Sequence, residues 1–192
     1  MTRLSGKASA VGYRDILLGM CLMLSVVLGL VLKSINPPVI QEDAAKQPGN
    51  IIVSAVWPEG DTDVDLWLSA PGDKKAIGYS NRSGSVWNLL RDDLGTANDN
   101  TPMNYESAFS RGTPAGEYVV NVHCFKCSGP IPVVVEVRIG APGQPSKVLK
   151  VETIVLEGKG AEVTAIRFKL DGDGRVVPGS VNKIFKPLRD AK

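Results

Sequence analysis

The sequence predicts a single N-terminal transmembrane α-helix followed by an all-β antiparallel sandwich domain. Two observations predict this fold class. The segment from Ile16 to Leu32 contains no charged residue, and after Asn50 the chain changes to short β-branched runs separated by glycine and proline. The 192 residues leave room for one ordinary domain beside the helix.

The apolar segment is long enough to cross a bilayer. As a helix, the residues from Ile16 to Ile35 reach roughly 30 Å, which is about the thickness of the hydrocarbon layer. Two prolines, Pro37 and Pro38, then end the helix because proline has no amide donor. We predict a transmembrane helix over 15–35, with Asp15 at its front edge.

A cleaved signal peptide is the competing interpretation of this segment. The uncharged run is longer than the apolar region of about 7–15 residues that signal peptides carry. No A-x-A site follows it closely, since Ala44 and Ala45 come only after the prolines and a polar stretch. The pattern therefore favours an uncleaved anchor.

Charge predicts the orientation of the span. Arg3, Lys7 and Arg14 precede it, whereas only Lys33 lies close behind it. Because excess lysine and arginine stay in the cytoplasm, residues 1–14 form a cytoplasmic stub and the rest is exported. For a bacterial inner membrane, the exported domain lies in the periplasm.

The net charge of +2 is a poor guide to partners. Four of the 22 basic residues and one of the 20 acidic residues lie at or before Lys33, which leaves 18 basic and 19 acidic residues outside. The exported part is therefore close to neutral and shows no basic stripe. Nucleic acid is excluded as a partner on this ground.

The exported part divides into three segments. Residues 36–49 are rich in proline and polar groups and are predicted to form a linker. Residues 50–170 form the predicted sandwich, and residues 171–192 form a C-terminal tail. The strand-like runs are NIIVSAVW, DVDLWLSA, EYVVNVHC, PVVVEVRIG, KVLKVETIVL and AEVTAIRFKL. Between Ser80 and Gly112 the regularity lapses, and we expect only a short strand around Val86-Trp87.

The run GYRDILLGMCLMLSVVLGLVL resembles the single transmembrane helix of MotB/ExbD-type stator subunits. Such subunits have a short basic cytoplasmic stub, one aspartate at the head of the helix, a linker and an exported domain. In MotB-type sequences a tyrosine stands two residues before that aspartate, and Tyr13 and Asp15 match this spacing. The resemblance covers about 25 of the 192 residues.

The resemblance implies a function. Asp15 would carry a proton or a sodium ion, and the chain would act as a homodimer inside a polytopic MotA/ExbB-like partner, in a ring of five partners around two copies. Ion flow would drive rotation or work on an exported target, with residues 36–49 as linker or plug.

A stripe of small residues supports such packing independently. In a helix of 3.6 residues per turn, Gly12, Gly19 and Gly29 all lie within about 60° of Asp15. Small residues on one stripe let another helix approach closely. We therefore expect the glycines and Tyr13 to shape helix packing near the ion site.

A simpler interpretation of Asp15 stays open. An acidic residue is favoured at a helix N-terminus by the helix dipole, and Arg14 directly precedes Asp15. A solvated arginine–aspartate pair would explain both residues without ion transport. The helix would then be only an anchor.

The exported segment departs from the stator families, whose exported domains are of mixed α and β type. DTDVDLWLSAPGDKKAIGYSN and the later GEYVVNVHCF instead resemble the β-sandwich of YfaP-like exported proteins. This match spans about 65 residues and implies a fold rather than an activity. The alternative function is accordingly a membrane-anchored binding or scaffold protein with an exported ligand.

Alternating acids mark a candidate calcium site. Asp61, Asp63 and Asp65 stand at every second position, so in a strand all three would project from one side. Three converging carboxylates could hold Ca²⁺, which takes six to eight oxygen ligands. Acids of the irregular region that could complete the shell are Asp92, Asp93 and Asp99. A solvated strand edge is the alternative.

The motif HCFKC places Cys124 and Cys127 beside His123. In an oxidising exported space such a pair is usually a disulfide. A zinc site is the alternative, but two thiols and one imidazole fall short of four ligands. Cys21 lies in the membrane segment as an apolar filler.

The sequence predicts no enzyme. It contains a single histidine, and neither a G-x-S-x-G nor a G-x-x-x-x-G-K-[ST] motif. No cofactor is expected beyond the transported ion and the possible calcium.

Overall fold

The computed structural model describes residues 5–35, 49–96, 103–140 and 145–189, with the side chains of the first range described from Gly12 to Val31. The chain forms two compact units, Met1–Ala45 and Lys46–Lys192. The first contains one helix and the second an all-β domain, so the predicted fold class is confirmed.

The helix α1 spans Ser5–Ile35. Within it, Gly12–Val31 has a mean hydropathy of 2.0 and could cross a membrane by length and composition. Every described side chain of this segment is exposed, as expected for a helix that needs lipid or another protein around it. The helix begins earlier than the predicted 15–35, because Ser5 and its successors continue the helical pattern.

Eight antiparallel strands form the second unit. They are β1 (Ile51–Trp57), β2 (Asp63–Ser69), β3 (Trp87–Arg91), β4 (Asn104–Ser110), β5 (Gly116–Lys126), β6 (Ile131–Ile139), β7 (Lys147–Leu156) and β8 (Glu162–Leu170). One sheet has the order β3-β4-β1-β6-β7 and the other the order β2-β5-β8. The six strand-like runs of the sequence are all strands.

The core lies between the two sheets and follows the period-two pattern of the strands. In β1, for example, Ile51, Val53 and Ala55 are fully buried, whereas the residues between them are partly buried. Tyr118 stands at the centre of an aromatic row. Its ring stacks on Phe168 at 5.1 Å and meets Trp87 edge-on at 6.2 Å.

The region 80–112 is more ordered than predicted, since β3 and β4 both belong to the larger sheet. The sequence pattern misses β4 because its buried positions, Asn104, Glu106, Ala108 and Ser110, are polar or small. These positions lack the apolar alternation that identifies a half-buried strand. The expected short strand around Val86-Trp87 is present as β3, and the expectation missed β4.

The tail after β8 pairs first with the edge of β8 and then covers part of the outer face of the three-stranded sheet. Asn182 exchanges backbone hydrogen bonds with Arg167 of β8 at 2.8 and 2.9 Å. Further along, the Leu188 side chain packs against Trp67 and Val119. The tail is thus part of the folded unit rather than a free extension.

Candidate functional site

Four buried or half-buried carboxylates converge at the edge of β2. Asp63 and Asp65 come from β2, Asp92 directly follows β3, and Glu106 lies in β4 of the opposite sheet. One oxygen each from Asp65, Asp92 and Glu106 lie within 4.8 Å of one another. We call these four residues the acidic cluster.

Glu106 is the deepest member of the acidic cluster. Its side chain is fully buried. Oε2 accepts a hydrogen bond of 2.7 Å from the Leu66 amide, whereas Oε1 accepts none from the residues that the structure describes. Burial raises the pKa of Glu106 well above its usual range, and the charges of Asp65 and Asp92 raise it further.

Asp63 and Asp92 also bring buried oxygens without a partner in the described part of the chain, namely Oδ1 of each. Burial raises the pKa of Asp63 to about 7, with smaller contributions from Asp65, Asp92 and Asp93 and an opposing one from Lys126. Buried carboxylates that lack partners are costly, since each loses its hydration without a replacement. A site with several of them is suited to a cation.

Asp65 is held by a chain of hydrogen bonds from the outer face of its sheet. His123 stands opposite it on β5, and Nδ1 lies 2.8 Å from Asp65 Oδ2. On the other side of the ring, Arg189 Nη1 lies 2.6 Å from His123 Nε2. Because a guanidinium only donates, Nε2 must accept, and Nδ1 therefore carries the proton that is donated to Asp65.

The structure does not bring Asp61 into the cluster. Asp61 precedes β2, is exposed, and pairs with Lys126, whose hydrogen bond lowers the pKa of the carboxyl below its ordinary value. The expectation that Asp61, Asp63 and Asp65 share one side of a strand was wrong, because β2 begins only at Asp63 and carries a bulge between Asp63 and Val64.

Asp93 has a structural role instead. Its oxygens accept hydrogen bonds from Arg91, at 2.8 Å, and from the amides of Gly95 and Tyr105, at 3.0 and 3.1 Å. These bonds join the chain after β3 to β4. Gly95 has a φ of 72° and approaches the carbonyl of Thr62 so closely that a Cβ would lie 2.9 Å from it. Asp99, also named as a possible ligand, lies outside the described residues.

Sequence reasoning missed Glu106, whose strand it did not identify, and Arg189, which comes from the tail. A single acid among polar neighbours carries no metal-site signal in the sequence. His123 was noted only for the nearby cysteines. Its position opposite Asp65 follows from the register of β2 on β5.

Cys124 and Cys127 are joined by a disulfide at the end of β5, with their Cα atoms 6.0 Å apart. Cys124 is fully buried in the core. The bond closes a short loop beside Lys126, the partner of Asp61. It therefore fixes the strand end near the acidic cluster.

Asp15 lies in the other unit, about three turns after the start of α1 at Ser5. Its side chain is exposed, as is that of Tyr13. A Cβ added at Gly12, Gly19 or Gly29 would meet no described atom within 4 Å. These residues thus present an open stripe along the helix.

No family model, curated protein or solved structure matches this chain.

Proposed function

We propose that this chain is the ion-carrying, single-span subunit of a MotA–MotB-like or ExbB–ExbD-like membrane complex, with Asp15 carrying a proton or a sodium ion. The observation that carries the proposal is the place of Asp15 in α1. The carboxylate lies inside the candidate span Gly12–Val31, about three turns after Ser5. The helix dipole acts only within the first turn, so it does not account for an acid there.

A carboxylate at the mouth of a membrane span needs a protein or water partner, since lipid provides none. The exposed stripe of glycines beside Asp15 supports a close neighbouring helix. In the proposed complex, two copies of α1 stand within a ring of a polytopic MotA/ExbB-like protein in a bacterial inner membrane. Each Asp15 faces that ring, the N-terminus is cytoplasmic, and the sandwich is periplasmic.

Protonation of Asp15, or sodium coordination by it, removes the negative charge that holds the helix against a polar group of the ring. The driving energy is the membrane potential, worth about 2.3 kcal/mol per charge for each 100 mV. The β-sandwich forms its own compact unit, Lys46–Lys192, and would transmit the work to an exported target.

A second candidate is a membrane-anchored binding or scaffold protein without ion transport. The observation that favours it is the acidic cluster of the sandwich, which includes the fully buried Glu106 and contains no residue of α1. In this alternative α1 is only a tether, and Asp15 is a solvated interfacial acid.

One experiment separates the two candidates. The tagged full chain is extracted from its native membrane, its partners and copy number are counted, and the complex is reconstituted in vesicles under an imposed potential. We expect a polytopic partner, two copies of this chain, and proton or sodium flux. Asp15→Asn should keep the assembly and abolish the flux, whereas Asp15→Glu should retain part of it.

The matched control is Ser25→Ala, which changes a polar side chain of the same helix that donates a hydrogen bond to the Cys21 carbonyl. This variant should keep both assembly and flux. Extraction of the chain without any polytopic partner would favour the anchored scaffold. Undiminished flux through the Asp15→Asn complex would remove Asp15 as the carrier.

A further inference from the structure

We propose that Asp65, Asp92 and Glu106 form a calcium-binding site of the β-sandwich, separate from any ion that moves through the membrane. The oxygens of the three residues lie within 4.8 Å of one another. Two oxygens on opposite sides of a Ca²⁺ ion lie about 5 Å apart, since each bond is about 2.3–2.6 Å long. The three oxygens are therefore close enough together to bind one shared ion.

Glu106 is the independent observation that points to a ligand. The side chain is fully buried, one oxygen accepts a hydrogen bond from the Leu66 amide, and the side chain lies within hydrogen-bonding reach of Asp92. Two acids at this separation need either a shared proton or a cation between them. A structural role at the Leu66 amide requires only one acceptor oxygen, and a neutral glutamine would supply it. A carboxylate at this position is explained by a cation.

The basic side chains around the cluster neutralise it only in part. Arg189 is linked to Asp65 through His123, and Lys126 opposes the rise in the pKa of Asp63. Lys126 pairs with Asp61, and Arg91 pairs with Asp93. Arg82 lies 3.8 Å from Asp92 Oδ2, but its side chain is half exposed and the contact leaves Asp92 Oδ1 unpaired among the described residues. Three ligand carboxylates and the adjacent Asp63 thus face one another with an excess of negative charge.

The support of Asp65 is of the kind that metal ligands have. His123 donates to Asp65 Oδ2 and is itself fixed by Arg189, which orients the carboxylate. All the side-chain ligands are carboxylate oxygens on two strands and a loop, which suits the irregular coordination of Ca²⁺ better than the strict octahedron of Mg²⁺.

The test is calorimetric titration of the full chain in detergent, after removal of metals with a chelator, at about pH 8, where protons compete less with Ca²⁺ for the carboxylates. We expect one Ca²⁺ per chain, weaker binding of Mg²⁺, and a rise of the unfolding temperature with Ca²⁺. Asp92→Asn and Glu106→Gln should each weaken Ca²⁺ binding about tenfold or more, because affinity follows the number of charged ligands.

Asp61→Asn and Asp173→Asn are matched controls, since both remove an exposed carboxylate that is ion-paired to a neighbouring basic residue. Both should bind Ca²⁺ within about threefold of the wild type. Asp15→Asn should also bind normally, so failure of the ion-transport proposal leaves this one intact. The site would be overturned if the wild-type chain took up no Ca²⁺ at about 5 mM, or if Asp92→Asn bound Ca²⁺ as tightly as the wild type. Both tests remain valid even if Glu106→Gln does not fold.

Discussion

Glu106 joins the two sheets of the sandwich by accepting a hydrogen bond of 2.7 Å from the backbone amide of Leu66. Leu66 lies in β2, an edge strand, and Glu106 lies in β4 of the other sheet. The next outward-facing amide of β2, that of Leu68, is taken by the Ile77 carbonyl at 2.8 Å. These two bonds protect the edge of β2 from pairing with another chain.

Substitution of Glu106 separates its structural role from its charge. Glu106→Gln keeps an acceptor for the Leu66 amide and removes a buried charge, so in the absence of cations the variant should be at least as stable as the wild type. Glu106→Ala leaves the amide without its partner and should cost about 1–3 kcal/mol of unfolding free energy. Denaturant unfolding in chelator, with both variants beside the wild type, measures this difference. Equal losses in the two variants would show that the carboxylate is required for folding.

The outline of the fold could be predicted because the apolar pattern was regular. The helix and six strands carry either an unbroken apolar run or a period-two alternation. β4 could not be found, since three of its four inward side chains, Asn104, Glu106 and Ser110, are polar and the fourth, Ala108, is small. The alternation Asp61, Asp63, Asp65 predicted that these three acids share one side of a strand. The start of β2 at Asp63 and the bulge after it decide which acids meet, and neither is visible in the sequence.

A contact between β5 and the tail contributes to the pH dependence of stability. Glu117 of β5 receives hydrogen bonds from Lys186, at 2.7 Å, and from Arg167, at 2.6 Å. The bond from Lys186 is the main reason that the pKa of Glu117 lies below its ordinary value. When the pKa of a carboxyl is lower in the folded state than in the unfolded state, its ionised form stabilises the fold. For a glutamate this contribution is complete above the unfolded-state pKa of about 4.3, and it is lost as the pH falls through the folded-state pKa.

Glu117→Gln should therefore lower the unfolding free energy by about 0.5–1 kcal/mol at neutral pH and by progressively less below about pH 4. Thermal unfolding of both proteins between about pH 3 and pH 7 measures the difference. Glu157→Gln, at an exposed position after β7, is the control and should change stability little throughout. A constant difference between wild type and Glu117→Gln down to pH 3 would contradict the electrostatic explanation.

The disulfide should contribute modestly to stability. Cys124 and Cys127 are three residues apart, and so short a loop restricts the unfolded chain by at most about 2 kcal/mol. In a Cys21→Ser background, reductant should lower the unfolding free energy by no more than that amount. Before reduction, a thiol titration of the Cys21→Ser protein should detect no free thiol. Two free thiols in material purified without reductant would contradict the bond.

Gly78 is required for the packing of Trp67, a residue of the outer face of β2. A Cβ at Gly78 would lie 2.8 Å from two atoms of the indole ring, which is too close for any real contact. Trp67 has little room to move, because it also packs on Leu188 of the tail and meets Tyr79 edge-on at 5.6 Å. Gly78→Ala should therefore cost about 1–3 kcal/mol and loosen the tail.

The matched control is Gly129→Ala in the turn before β6, where an added Cβ would meet no described atom within 4 Å. This variant should match the wild type within about 0.5 kcal/mol in denaturant unfolding. Hydrogen exchange of the Leu188 amide, which donates to Glu162 Oε1 at 3.0 Å, reports on the tail and should accelerate only in Gly78→Ala. If Gly78→Ala leaves both measurements unchanged, Trp67 is free to shift and the tail does not depend on its position.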